Sequence, residues 1–221
     1  MDWLAAGGAA VAAAVLGWLA AGSQHHLYRE PEFRTAPAAG RKLLALRLFC
    51  GVSGGVAAGL AFRPGHYDAG PALMVATFAL GLVVLASTDL ERRRIPNRLT
   101  YPLMGAAAAL SWAWPDRGTG DIWAGAAVAA GVAAAMFALG LVFGAAARTT
   151  AFGLGDAKLI VLLGLLLGWP AVMSGLVFAL LAGGAFSLGM IVSGRARGTF
   201  SYGPFLAFGG LVVLLFPDRF V

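Results

Sequence analysis

Two aspartates lie where long apolar segments meet polar ones, and paired carboxyls can hydrolyse peptide bonds. Asp89 closes the apolar run 74–88, and Asp156 opens the run 157–163. A carboxylate at a membrane boundary is costly to desolvate, so an ionisable group there is a functional candidate. In a carboxyl dyad, an ionised carboxylate takes a proton from water while a protonated carboxyl polarises the scissile carbonyl, and the two titrate as a coupled pair. The pattern therefore predicts Asp89 and Asp156 as an acid/base pair.

The residues around Asp156 fit such a site. Gly153 and Gly155 have no Cβ atom, so the chain before Asp156 can approach an extended peptide closely or turn sharply into a helix. Lys158 is either a snorkelling side chain or a charge that biases the ionisation of the pair. The alternative for Asp156 alone is a helix N-cap, which aspartate also suits.

Composition places these residues in a lipid bilayer. Of the 221 residues, 60% are hydrophobic and 12% are charged. Several uncharged runs approach the roughly 20 residues with which a helix crosses about 30 Å of hydrocarbon. The runs lack the alternation of barrel strands, and lipid permits only helices or closed barrels. We predict an all-α polytopic membrane helical bundle with about eight transmembrane helices. The predicted spans are 3–22, 43–62, 72–88, 99–114, 122–147, 156–168, 170–193 and 203–217.

Loop charges orient the bundle. Twelve basic residues fall on one set of alternate loops and three on the other. The richer side of a membrane protein faces the cytoplasm, so both termini are expected outside. On this topology, five of the seven aspartates lie on the outer side and only Asp89 and Asp156 on the cytoplasmic side. The split of spans six and seven at 168–170 rests on a proline that suits the first turn of a new helix. The whole chain, 1–221, is expected to be one membrane-embedded domain with residues 23–42 as a short cytoplasmic loop.

Three segments carry a combined pattern. Asp89 is followed by Arg94-Ile-Pro-Asn97, Gly153-Leu-Gly-Asp-Ala-Lys-Leu159 contains a Gly-x-Gly-Asp motif, and Ser201-Tyr-Gly-Pro-Phe-Leu-Ala-Phe-Gly209 follows near the end. Together they resemble the two aspartate segments and the C-terminal Phe-Gly-Pro-Phe-Leu-Ala signature of type IV prepilin peptidases, which are intramembrane aspartyl proteases. The chain after the first span, from Gly22 to Pro31, is similar to a degraded version of the segment that opens the cytoplasmic loop of that family.

The resemblance implies a multi-pass enzyme of the bacterial cytoplasmic membrane with its active site at the cytoplasmic face. Asp89 and Asp156 would be catalytic, with Gly153, Gly155 and Lys158 as motif support. Its partners would be prepilins or pseudopilins, cleaved between a basic leader and an apolar helix, in a type IV pilus or type II secretion system. Because a basic leader is not attracted by a run of arginines, the run at 92–94 is assigned to topology and lipid head groups. No nucleic-acid partner is expected, and the sequence leaves the oligomeric state open.

Neither a metal nor an organic cofactor is expected. Longer members of the family carry paired Cys-x-x-Cys motifs for zinc in the loop after the first span. Residues 23–42 contain no cysteine, and the adjacent His25 and His26 are too few for tetrahedral zinc. No glycine-rich loop is visible that would hold S-adenosylmethionine. We therefore predict a short form of the family that lacks the methyltransferase activity of many members.

Two other classes of protein stay open. A proton-coupled transporter also uses membrane carboxylates, but it places them near the midplane between structural repeats. No internal repeat is visible here, and both aspartates lie at one membrane edge. A non-catalytic assembly protein of a pilus or secretion system has no need of an aspartate pair. Loss of cleavage on substituting either aspartate separates it from a peptidase.

Overall fold

The computed structural model describes residues 2–28, 39–114, 116–147, 153–194 and 201–220, with the side chains of 143–147 excepted. Within these ranges the regular structure consists of α-helices and short 3₁₀ turns, with no strand. The helices are α1 Trp3–Ser23, α2 Gly40–Ala61, α3 Ala69–Arg92, α4 Asn97–Ala109, α5 Thr119–Ala147, α6 Leu154–Leu167, α7 Ala171–Val192 and α8 Gly203–Leu215. The prediction of an all-α bundle of about eight helices is confirmed.

Five of these helices are long and apolar enough to cross a membrane, namely α1, α2, α3, α5 and α7, and α8 is shorter but apolar. The protein is therefore a multi-pass membrane protein. Helices α4 and α6 have 13 and 14 residues. At about 1.5 Å per residue they are roughly 20 Å long, less than the hydrocarbon thickness of about 30 Å. That all eight helices cross the membrane stays a prediction.

The break between α6 and α7 lies where the Gly-Trp-Pro sequence predicted it. Gly168 ends α6 with a φ of 69°, which favours glycine, and Pro170 is the N-cap of α7. The backbone N–H of Trp169 donates to the carbonyl oxygen of Asp121 at 2.8 Å. Spans six and seven are thus separate helices.

Arg117 has a role that its loop position did not indicate. The residue is only 9% exposed, and its Nη1 donates to the carbonyl oxygens of Leu166 and Leu167 at 2.7 and 2.9 Å. The last carbonyls of a helix have no partner within the helix, and a cation there also complements the helix dipole. Arg117 therefore caps the C-terminal end of α6, the helix that begins with the Gly-x-Gly-Asp motif.

The chain divides into two compact units. The N-terminal unit is Met1–Gly105 with Ala113–Pro115, and the C-terminal unit is Ala106–Trp112 with Asp116–Val221. The first contains α1 to α3, and the second contains α5 to α8. That residues 1–221 act as a single peptidase domain stays a prediction.

Small residues let the helices approach closely inside each unit. In the N-terminal unit, a Cβ on Gly55 of α2 would lie 3.0 Å from the carbonyl oxygen of Ala10 in α1. In the C-terminal unit, a Cβ on Gly164 of α6 would lie 2.6 Å from the carbonyl oxygen of Gly125 in α5. Membrane helices associate through such backbone contacts because lipid supplies no hydrophobic driving force between them.

Candidate active site

Asp89 lies in the last turn of α3, at the end of a continuously buried stretch. Every residue from Gly81 to Asp89 is buried, and Asp89 itself is 6% exposed. The predicted span ended at residue 88, but the helix continues to Arg92. Arg93 then adopts a left-handed φ of 55°, and its backbone N–H donates to the carbonyl oxygen of Asp89 at 2.7 Å. The aspartate therefore belongs to the helix rather than to the loop after it.

The Arg-Ile-Pro-Asn segment forms the turn from α3 into α4. Residues 94–96 are not helical, and α4 begins at Asn97. The carbonyl oxygen of Pro96 accepts from the backbone N–H of Thr100 at 3.1 Å and from its Oγ1 at 3.0 Å. Pro96 has no N–H, and it disfavours helical backbone at Ile95, so this segment separates the helix that carries Asp89 from α4.

Asp156 lies in the first turn of α6 and is partly exposed. The N-cap position belongs to Gly153, so the N-cap alternative for Asp156 is wrong. Gly153 has an extended backbone, with φ −92° and ψ 143°, which any residue can adopt. A Cβ there would lie 3.6 Å from Oδ2 of Asp156, an ordinary contact. A carboxylate in the first turn also interacts favourably with the helix dipole. Gly155 and Lys158, in the same turn and the next, are partly exposed.

The C-terminal signature packs in the same unit as Asp156. Tyr202 is the N-cap of α8, and its ring covers Gly183 of α7, where a Cβ would lie 2.6 Å from the ring. Burial raises the pKa of the Tyr202 hydroxyl, and the negative charge of Asp156 raises it further. The sequence did not single out this tyrosine as a site residue. The sequence does differ from the family at this position: this chain has a tyrosine where the C-terminal signature that it resembles begins with phenylalanine. That difference could have drawn attention to Tyr202.

A buried polar cluster surrounds the end of α3 in the N-terminal unit. Ser87 Oγ donates to Oε1 of Gln24 at 3.1 Å, and Nε2 of Gln24 donates to Oε2 of Glu91. The side chain of Glu91 is 4% exposed, and its Oε1 lies 3.4 Å from Nε of Arg92. Nζ of Lys42 donates to the carbonyl oxygen of Glu91 at 3.1 Å. This cluster could not be foreseen from the sequence, since Glu91 stands in an arginine-rich run that is typical of a solvated loop.

Tyr28 also packs against the end of α3. Its hydroxyl lies 3.4 Å from the carbonyl oxygen of Thr88 and 3.5 Å from that of Arg94. The guanidinium of Arg92 lies 5.3 Å from the centre of its ring. Burial, followed by the charge of Glu91, raises the pKa of Tyr28 to about 12, so the hydroxyl stays protonated at neutral pH. Tyr28, in the described part of the segment after α1 that resembled the family only weakly, therefore packs directly against the turn of Asp89. Residues 29–31 of that segment lie outside the described ranges.

The aspartates belong to different units, Asp89 to the N-terminal and Asp156 to the C-terminal one. No group of three or more potential metal ligands occurs among the described residues. The rings of His25 and His26 are 3.9 Å apart, in the turn that follows α1.

Comparisons with known proteins extend these observations. Residues 76–188, just over half of the chain, match the family model described as the type IV leader peptidase family. A prepilin leader peptidase/N-methyltransferase of Burkholderia pseudomallei strain K96243 is 30% identical over 179 residues, covering 76% of this chain and 53% of the relative. Another, from Aeromonas salmonicida strain A449, is 30% identical over 139 residues, covering 62% of this chain and 47% of the relative. The chain thus spans about half the length of these relatives, and no solved structure matches it. With both aspartates inside the matched segment, the chain belongs to the type IV leader peptidase family.

Proposed function

We propose that this protein is a prepilin leader peptidase, an aspartic endopeptidase of the bacterial cytoplasmic membrane. It removes the basic leader from type IV prepilins or pseudopilins at the cytoplasmic face. One observation carries the proposal: the segment that matches the family contains both aspartates, and Asp89 within it is a desolvated carboxyl at the end of an apolar helix. A buried ionisable group in a membrane helix is expensive to maintain, which makes it a candidate for function.

In this proposal Asp89 and Asp156 supply the two carboxyls of the reaction. One is ionised and takes a proton from water as the water oxygen bonds to the scissile carbonyl carbon. The other is protonated and donates a hydrogen bond to the carbonyl oxygen as negative charge develops there. The tetrahedral intermediate then collapses, the C–N bond breaks, and the leaving amine takes a proton from a carboxyl. The two carboxyls end with the single proton that they held at the start.

The fold supports a substrate that is itself a membrane helix. A prepilin presents its scissile bond next to an apolar segment, which reaches the enzyme within the bilayer. The first-turn position of Asp156 and the last-turn position of Asp89 place both carboxyls at helix ends, where an unwound peptide meets water. Water is a reactant, so a peptidase needs its carboxyls at the edge of the hydrocarbon rather than at its midplane.

A cleavage assay tests the proposal. Membranes containing the protein are expected to shorten a prepilin with a basic leader, a glycine and an apolar run of roughly 20 residues. Mass spectrometry of the product is expected to place the cut directly after the glycine. Membranes without the protein are the control. An intact substrate, together with proton flux in proteoliposomes that contain the protein, would instead support the transporter class.

We also expect peptidase activity without zinc and without methyl transfer. Residues 23–42 contain no cysteine, and four nitrogen or sulfur ligands are typical of a structural zinc site. Cleavage is therefore expected to be unchanged by a zinc chelator. Incubation of the purified protein with prepilin and labelled S-adenosylmethionine is expected to leave the mature pilin unlabelled. A long family member with the cysteine motifs serves as the positive control, and label on the pilin would refute the single-activity prediction.

A further inference from the structure

A side-chain amide joins the end of α1 to the last turn of α3. Gln24 lies in the 3₁₀ turn that follows α1 and is 3% exposed. Its Oε1 accepts from Ser87, and its Nε2 donates to Glu91. We call these three side chains the Gln24 cluster. A primary amide suits the position because it is an acceptor at one end and a donor at the other.

The Gln24 cluster spans one turn of α3. Ser87 and Glu91 are four residues apart, so they lie on the same face of the helix. Asp89 lies two residues from each and therefore on the opposite side of the same turn. Gln24 thus holds one face of the turn in a fixed position, and Asp89 is attached to the other side of the same turn.

This turn needs support because it is the end of the helix. The last four carbonyls of a helix have no partner within it, and helix ends fray. Here Lys42, from outside α3, donates to the carbonyl oxygen of Glu91, which is one of these four. The hydroxyl of Tyr28 lies at the carbonyl oxygen of Thr88, one residue before them. A frayed turn would move Asp89, and a displacement of about 1 Å at a reacting group costs about 100-fold in rate.

Burial of the Glu91 carboxylate is costly unless the group is paired. Its side chain is 4% exposed, and it contacts Gln24 and Arg92. A buried charge is tolerated only where partners satisfy it, and the loss of one partner leaves an uncompensated charge. The cluster is therefore sensitive to the identity of residue 24, and most sensitive to a second negative charge at that position.

We propose that Gln24 is a positioning residue for Asp89, acting by bridging Ser87 and Glu91 across the last turn of α3. The proposal rests on the proposed function, because it assigns to the N-terminal helix a part in leader cleavage. Residue 24 lies outside the segment 76–188 that matches the family model. The turn that follows α1, beyond the matched segment, thus holds the turn of Asp89 in place.

A reciprocal exchange tests the proposal. Gln24→Glu places two carboxylates against each other, and kcat for leader cleavage is expected to fall by about 100-fold with KM little changed. In the double variant Gln24→Glu with Glu91→Gln, the new amide at 91 donates to the new carboxylate at 24, and Ser87 still donates to residue 24. The double variant is expected to recover most of the lost kcat.

The controls separate a positioning role from a failure to fold. Thr77→Ala removes an exposed hydroxyl on the same helix, which donates to the Leu73 carbonyl oxygen, and its kcat is expected to match that of the wild-type protein. Recovery in the double variant also shows that residue 24 tolerates a carboxylate when its partner is neutral. A wild-type kcat for Gln24→Glu overturns the inference, as does a double variant no better than the single one. Failure of the wild-type protein to cleave would instead refute the proposed function.

Discussion

Asp89→Asn and Asp156→Asn are each expected to abolish leader cleavage, by a factor on the order of 10³ or more, while the protein still enters the membrane. The two carboxyls act as a unit, because water activation and carbonyl polarisation occur in the same transition state. Asparagine has nearly the same shape as aspartate but can neither accept the proton nor donate it. Because its amide is neutral, burial at position 89 is no more costly than for the carboxylate.

Processing of a prepilin by membranes that contain each variant, followed by gel shift, gives the measurement. Asp68→Asn is the matched control, since Asp68 is the N-cap of the same helix and makes no side-chain capping bond. Its cleavage rate is expected to equal that of the wild-type protein. Wild-type-like cleavage by either the Asp89 or the Asp156 variant would refute the two-aspartate mechanism. Inactive but correctly inserted variants would exclude the non-catalytic assembly class.

The helices could be predicted from the sequence because hydropathy and chain-breaking residues are local signals. The apolar runs gave eight segments whose order and approximate bounds match α1 to α8. The break before α7 followed from a proline, which restricts the residue before it, and from a glycine, which adopts a positive φ at 168. Neither signal depends on how the helices pack.

The polar contacts could not be predicted, because they join residues far apart in the chain. Gln24 and Glu91 are 67 residues apart, and Arg117 caps a helix end 49 residues away. In the sequence each is an ordinary polar residue next to an apolar run. The first pair meets only when the turn after α1 packs against the end of α3. The end of α3 was placed too early for a different reason: a polar residue normally marks the end of an apolar span, but this helix continues through Asp89 to Arg92.

The segment 201–209, which carries the C-terminal signature, ends in a glycine whose role is packing rather than chemistry. Gly209 in α8 faces α7, where a Cβ would overlap the carbonyl oxygen of Gly175 and lie 2.8 Å from the backbone nitrogen of Ala179. Both obstacles are backbone atoms, which cannot rotate out of the way. The two helices therefore touch through their main chains, as small-residue interfaces in membranes do.

Gly209→Ala is accordingly expected to reduce the free energy of unfolding by about 3 kcal/mol, at the upper end of what overpacking costs, because one methyl group must separate two helices. Gly184→Ala is the matched control, since a Cβ at Gly184 of α7 meets no atom within 4 Å. That change is expected to be neutral or to stabilise the helix by up to about 1 kcal/mol, the difference in helix propensity. Unfolding of the purified variants in mixed micelles at increasing detergent denaturant gives both values. Equal stabilities for the two variants would mean that α7 and α8 do not meet at Gly209. A role of Gly209 other than helix packing would then have to be sought.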